Sequence, residues 1–222
     1  DQKAAKIPFE RIVAEYRPVE PARFVIDTPD KENAMLFARV DLPANLSDAD
    51  MPALITADWI IGGSDGLSNR IVNRLRQKEG LSYGSGSNIT LPSFGNRAKW
   101  SVGAIVAPQN LAQAEKSLKD ELARAYRDGI TEAELAEAKR GIIGSRAVNR
   151  AQDGMVASNW VNNLETGRTW QFSKETEAAI EALTVEDVNK ALRRFCDVSK
   201  LTFALAGDLA KAKVAGKDFT QP

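Results

Sequence analysis

The sequence predicts an α+β domain in which a largely antiparallel sheet carries its helices on one face. Three observations lead there. Short stretches near residues 24–26, 35–42, 81–91 and 98–106 alternate apolar and polar side chains, the period of a half-buried strand. From Pro108 the apolar spacing turns helical and stays so through residue 195, before one last strand-like stretch at 201–206. The resulting order, ββαα–ββ–ααααα–β, groups strands in pairs between helical blocks, and no strand shows the continuous apolar run of a fully buried parallel sheet.

Residues 1–22 are polar and broken by Pro8, Pro18 and Pro21, which suits a linker leading into the domain. A single domain is expected over 23–210, with a charged tail at 211–222. The first two strands are separated by the turn signal Asp27-Thr28-Pro29-Asp30. In the second, Leu36, Ala38, Val40 and Leu42 share one face, and Met35, Phe37, Arg39 and Asp41 the other.

Helical spacing of Leu54, Ala57, Ile60 and Ile61 predicts a helix over 51–61, interrupted by glycines at 62, 63 and 66. Leu67, Ile71 and Leu75 form the stripe of a second helix at 67–78, for which Gly80 is a natural C-cap. Residues 92–96, between the next two strands, read as a hairpin turn. Pro108 suits a first helical turn, and Leu111, Ala114, Leu118, Leu122 and Ala125 form a stripe ending at Gly129. Thr131 with Glu134 is a capping box for a helix over 131–150, and Thr184 with Asp187 is a second, weaker one. Between them lie helices near 153–166 and 173–182; the last, 184–195, ends at Cys196.

Composition narrows the function. Of 222 residues, 43% are hydrophobic and 27% charged, so a sizeable core is available. Lys+Arg and Asp+Glu are each 30, without the basic excess that phosphate neutralisation demands; no nucleic acid partner is expected. Histidine is absent and Cys196 is the only cysteine. Zinc sites are built mainly from those two residue types, so no metal site is expected in this chain, and Cys196 reads as a buried small residue. No apolar run reaches the length of a membrane span. The chain starts at Asp1 without an initiator Met or a signal-like apolar segment, and is read as a piece of something longer.

Gly80-Leu81-Ser82-Tyr83-Gly84 matches the G-x-S-x-G pattern of serine hydrolases. That chemistry needs a strained strand-to-helix turn and a base for the serine proton. Here Ser82 begins a strand and no histidine exists to serve it. The glycines at 62–66 and 84–86 lack phosphate-loop spacing and read as loop and strand-edge glycines.

The informative segment is residues 62–87, GGSDGLSNRIVNRLRQKEGLSYGSGS. A Gly-Gly loop leads into a helix ending in Leu75-Arg76-Gln77-Lys78, and a Gly80-Leu81-Ser82-Tyr83 strand start follows. A second motif begins at Gly129-Ile130-Thr131 and continues through Glu134, Leu135, Ala138 and Lys139 as G-x-T-x-x-E-L-x-x-A-K. Together these motifs, and the strand–helix order around them, resemble the insulinase/pitrilysin family of zinc metallopeptidases over roughly residues 23–207.

The resemblance implies a peptidase of two related halves that close like a clamshell around an unfolded peptide. One half carries an inverted zinc motif, H-x-x-E-H. The other lacks it and contributes an Arg and a Tyr that reach across to the substrate. This chain has no H-x-x-E-H, so the resemblance places it as the zinc-free C-terminal half, inactive by itself. The matching positions are Arg76 and Tyr83, as supports of substrate and oxyanion. Implied partners are a zinc-bearing half, in the same polypeptide or another subunit, and a peptide substrate. The setting it suits is bacterial and exported, such as a periplasm, though the compartment stays open. A structural, scaffolding relative of the same fold without peptidase activity is the alternative. Arg97 and Lys99 alternate with Ala98, Trp100 and Val102, so the helix-free sheet face is expected to be polar. In a clamshell that face would line the chamber, where an extended peptide could add to an exposed edge strand.

Overall fold

Period-two patterning places the strands. In the computed structural model, which describes residues 10–63 and 68–214, they are β1 (Arg23–Asp27), β2 (Ala34–Pro43), β3 (Ser82–Thr90), β4 (Arg97–Val106) and β5 (Thr202–Gly207). They form one sheet ordered β1-β5-β2-β4-β3. β1 and β5 pair in parallel, and every other pairing is antiparallel. The late strand β5 therefore inserts between β1 and β2, which are neighbours in sequence.

The helices are α1 (Met51–Ile61), α2 (Arg70–Val72), α3 (Leu111–Asp128), α4 (Glu132–Arg150), α5 (Asp153–Thr166), α6 (Trp170–Ala182), α7 (Val185–Phe195) and the short α8 (Leu209–Ala212). α2 opens directly into a π-helical stretch, Asn73–Lys78. It starts later than the apolar stripe predicts, because the Asn69 side chain caps it by accepting from the Val72 amide at 2.9 Å. Leu67 lies outside the described residues. α6 begins already at Trp170 instead of 173, where Thr169 caps its first turn. Among the described residues no helix is long and apolar enough to cross a membrane.

The helices cover one sheet face and share its core. Leu36, Ala38, Trp100, Val102 and Leu205 from the sheet are buried with Leu54, Ile61, Leu118, Leu122 and Leu192 from the helices. Each such aliphatic side chain stabilises the fold by about 1.5–3 kcal/mol over its exposed state. Cys196, at the end of α7, is also buried, and burial pushes its thiol pKa up. Gly129 ends α3 at φ 76°, a backbone region that strains residues with a Cβ.

Both capping boxes form. Glu134 does more than cap α4: Arg70 donates to its two oxygens at 2.6 and 2.7 Å, and also to the Gly129 carbonyl at 2.8 Å. Partial burial alone would raise the Glu134 pKa. The hydrogen bonds from Arg70 and from the Thr131 amide and hydroxyl outweigh it, and the pKa falls from 4.5 to about 2. A depressed carboxylate pKa stabilises the fold above the unfolded value, and that stability is lost as the pH falls through the folded one. We expect Arg70→Ala to cost roughly 2–3 kcal/mol at pH 7, and the difference from wild type to shrink between about pH 4.5 and pH 2. Urea unfolding across that range measures it; a pH-independent difference would refute the linkage.

Candidate functional site

Strict alternation along β3 would put Tyr83 on the same face as Ser85 and Ser87, under the helices. The structure reverses this. Ser82 pairs with Val106 and Gly84 with Ile105, so Tyr83 is the extra residue of a β-bulge. Bulges re-aim side chains, and here Tyr83 is 87% exposed, not the half-buried strand aromatic that its position alone suggests. Arg76 projects from the π-helical stretch, and its guanidinium carbon lies 4.8 Å from the centroid of the Tyr83 ring. The π-turn and the bulge thus bring together two residues that the sequence separates by a helix end. A cation over an aromatic face is worth about 0.5–1 kcal/mol at an exposed site, enough to orient both side chains without fixing them.

Behind them, β3 is pinned to α1. The Ser87 amide donates to the Gly62 carbonyl at 2.7 Å, and the Ile89 amide to Asp58 Oδ2 at 3.2 Å. Asp58 also accepts from Ser87 Oγ at 2.6 Å and Trp100 Nε1 at 2.9 Å. Its burial raises its carboxyl pKa, against the opposing pull of those three donors. The glycines of this region follow from the close approach. A Cβ on Gly62 would meet the Ser87 amide nitrogen at 2.5 Å, and one on Gly86 the Gly62 carbonyl oxygen at 2.7 Å.

The exposed edge of β3 is shorter than an open edge strand would offer an added peptide. The far half of the β3 edge is already occupied by α1 and Gly62, so an added strand has only the stretch around Tyr83–Ser85 to pair with. In that stretch Ser85 Oγ is buried without a hydrogen-bond partner.

The helix-free sheet face is also not polar throughout. At one end Asp41 pairs with Arg39 at 2.7 Å and with Arg97 at 2.5 Å, beside Lys99. Burial alone would raise the Asp41 pKa, but the two arginines hold it below the usual carboxylate range. At the other end Met35, Phe37 and Ile105 stand exposed at 50%, 39% and 48%. In register with them lie Gly84, Gly86 and Gly103, which leave a lane without side chains. Tyr83 sits at this apolar end. The polarity of Arg97 and Lys99 does not run the length of the face, because Met35, Phe37 and Ile105 point outward with them.

Ser82 is no nucleophile. Its Oγ is buried, 2.7 Å from the Ile105 carbonyl oxygen and 2.9 Å from that of Gly84, and serves as a strand bridge. Among the described residues no three His, Cys, Asp or Glu side chains are grouped to hold a metal ion.

A family model described as the peptidase M16 inactive domain matches residues 1–142. No curated protein sequence matches the chain. Among solved structures, the peptidase M16 inactive domain from Pseudomonas fluorescens superposes with a TM-score of 0.82 at 23% identity, over 96% of this chain and 48% of that one. A protease from Helicobacter pylori gives 0.76 at 19% identity, over 93% and 48%. The inactive peptidase domain of a protein assigned as a zinc protease, from Bordetella parapertussis, gives 0.65 at 17%, over 78% and 91%. The chain spans about half the length of the first two, and at these identities the likeness is one of fold.

Proposed function

The chain belongs to the peptidase M16 family as its inactive domain, and from this premise we propose that it is the substrate-holding, zinc-free half of a zinc metalloendopeptidase. The observation that carries the proposal is the bulge that turns Tyr83 out of the sheet beside Arg76, at the apolar end of the helix-free face. A phenol hydroxyl is a neutral donor suited to an oxyanion that develops during peptide hydrolysis. A guanidinium never loses its proton at working pH, and its fork suits peptide carbonyls. Neither residue supplies a nucleophile or a metal. Zinc, with its activated water, would be held by a second half, in the same polypeptide or in a partner subunit. An unfolded substrate would lie across the glycine lane, its apolar side chains against Met35, Phe37 and Ile105, and pair with β3 only around Tyr83–Ser85.

Reconstitution tests this. The isolated chain is expected to bind no stoichiometric zinc and to leave unstructured peptides intact. Addition of the zinc-bearing half is expected to produce cleavage, with substrate protecting Tyr83 and Arg76 from chemical modification. A zinc-bearing half that cleaves equally well without this chain would reduce it to a scaffold.

A further inference from the structure

Helix α5 is turned inside out. A helix on a domain surface normally aims its apolar stripe inward, yet no residue of α5 is buried. Trp160, Val161 and Leu164 point to solvent at 51%, 62% and 70% exposure. The side that lines a cleft of about 410 Å³ against α4 and α6 carries Asn159, Asn162 and Asn163 besides Met155, with Asn149 of α4 joining them. None of these four carboxamides makes a side-chain hydrogen bond within the protein among the described residues. Each keeps donors and an acceptor to spend on a ligand.

The cleft is also cationic. Arg146 and Arg150 share one carboxylate, Glu177, with Arg146 Nε at 2.9 Å. Arg168 reaches Ser47 Oγ at 2.8 Å and lies 4.3 Å from the Phe172 ring centroid. Three guanidinium groups thus line the cleft, and a single carboxylate, Glu177, pairs with two of them. Trp170, with Trp160 behind it at 6.1 Å between ring centroids, provides a flat wall.

We propose that this cleft, on the helical side of the domain, binds an acidic polypeptide segment in extended form. A carboxamide presents N–H and C=O together, the complement of a peptide unit. Asn159 and Asn162/Asn163 lie one helical turn apart, roughly 5.4 Å, close to the roughly 6.6 Å between alternate residues of an extended chain. Side-chain carboxylates of the segment meet the arginine forks, and their methylene stems lie on Trp170. The site is independent of Tyr83 and Arg76, and its occupant need not be the cleaved peptide.

Titration of the chain with a glutamate-rich octapeptide tests the proposal, read by tryptophan fluorescence and by the ¹⁵N–¹H signals of the asparagine carboxamides. Expected results are saturable binding, weakening with added salt, and shifts of the Asn159, Asn162 and Asn163 carboxamide signals. The joint Asn159→Ala/Asn162→Ala/Asn163→Ala variant is expected to bind about tenfold or more weaker. Should that variant melt early, the wild-type carboxamide shifts still decide. The proposal is overturned by equal binding of a lysine-rich octapeptide or by unmoved carboxamide signals. It is equally overturned if Lys99→Glu, on the opposite sheet face, costs as much affinity as the triple change, or if an acidic oligosaccharide binds more tightly than the peptide.

Discussion

Tyr83→Phe, made in the proposed peptidase assembly with a zinc-bearing half, is expected to lower kcat by roughly 10²–10³, about 2.7–4 kcal/mol of transition-state stabilisation. The change removes one hydroxyl from a ring that is 87% exposed, so packing and melting temperature should stay as after an ordinary surface substitution. Arg76→Ala is expected to act differently. On the proposed role it withdraws a peptide-holding group, and it removes the guanidinium that lies 4.8 Å from the Tyr83 ring, so KM should rise while kcat falls. Steady-state kinetics of the two variants, with zinc content and melting temperature measured alongside, separate these outcomes. Full activity in Tyr83→Phe would end the oxyanion role and leave the exposed tyrosine unexplained.

The largest expected loss of stability is at Asp58. Asp58→Ala removes the carboxylate acceptor of three donors at once: the buried Ser87 Oγ and Trp100 Nε1, and the part-buried Ile89 amide. Each orphaned donor costs about 1–3 kcal/mol, so the total is expected near 3–5 kcal/mol once local repacking offsets part of it. The same change should free the outer edge of β3, and the Ile89 amide should exchange with solvent far faster than in wild type. Asp58→Asn keeps the volume and one of the two accepting oxygens and should cost less. The pH dependence carries a definite sign. Because burial raises the Asp58 pKa in the folded protein, the folded state binds the proton more tightly than the unfolded one. This contribution therefore declines as pH rises from the ordinary Asp range through the raised value, opposite to Glu134. Urea unfolding of wild type and Asp58→Asn across that interval measures it. An Asp58→Ala protein with wild-type stability would show that β3 is held by something else.

Much of this architecture was legible residue by residue. The stripe Leu111, Ala114, Leu118, Leu122 and Ala125 is buried along its length, because a helical period depends only on its own segment. The Thr131–Glu134 and Thr184–Asp187 boxes form, since both partners lie within one turn. Met51–Ile61 has the predicted bounds. The motif that pointed to Arg76 and Tyr83 was likewise contiguous. Near-misses such as the start of α6 arose where Thr169 offered a cap that the apolar pattern does not register.

Features that depend on a partner elsewhere in the chain were hidden. A bulge exists only relative to the strand opposite, so nothing within Ser82-Tyr83-Gly84 could tell that Tyr83 turns outward; β4 supplies that information through Val106 and Ile105. Strand order is decided in the same way. β5 separates β1 from β2 because an alternating strand offers two equivalent edges, and its local pattern does not choose between them. Closure of the β3 edge needed the Asp58 carboxylate to arrive from α1. The outward apolar face of α5 needed two flanking helices to define which side is in. Local periods and caps thus determined which segments become helices and strands, since hydrophobic repeat and end-capping act over a few residues. Which edges pair, which side chain turns out, and where a cleft opens were decided in three dimensions, because hydrogen-bond partners and burial there come from residues far apart in the chain.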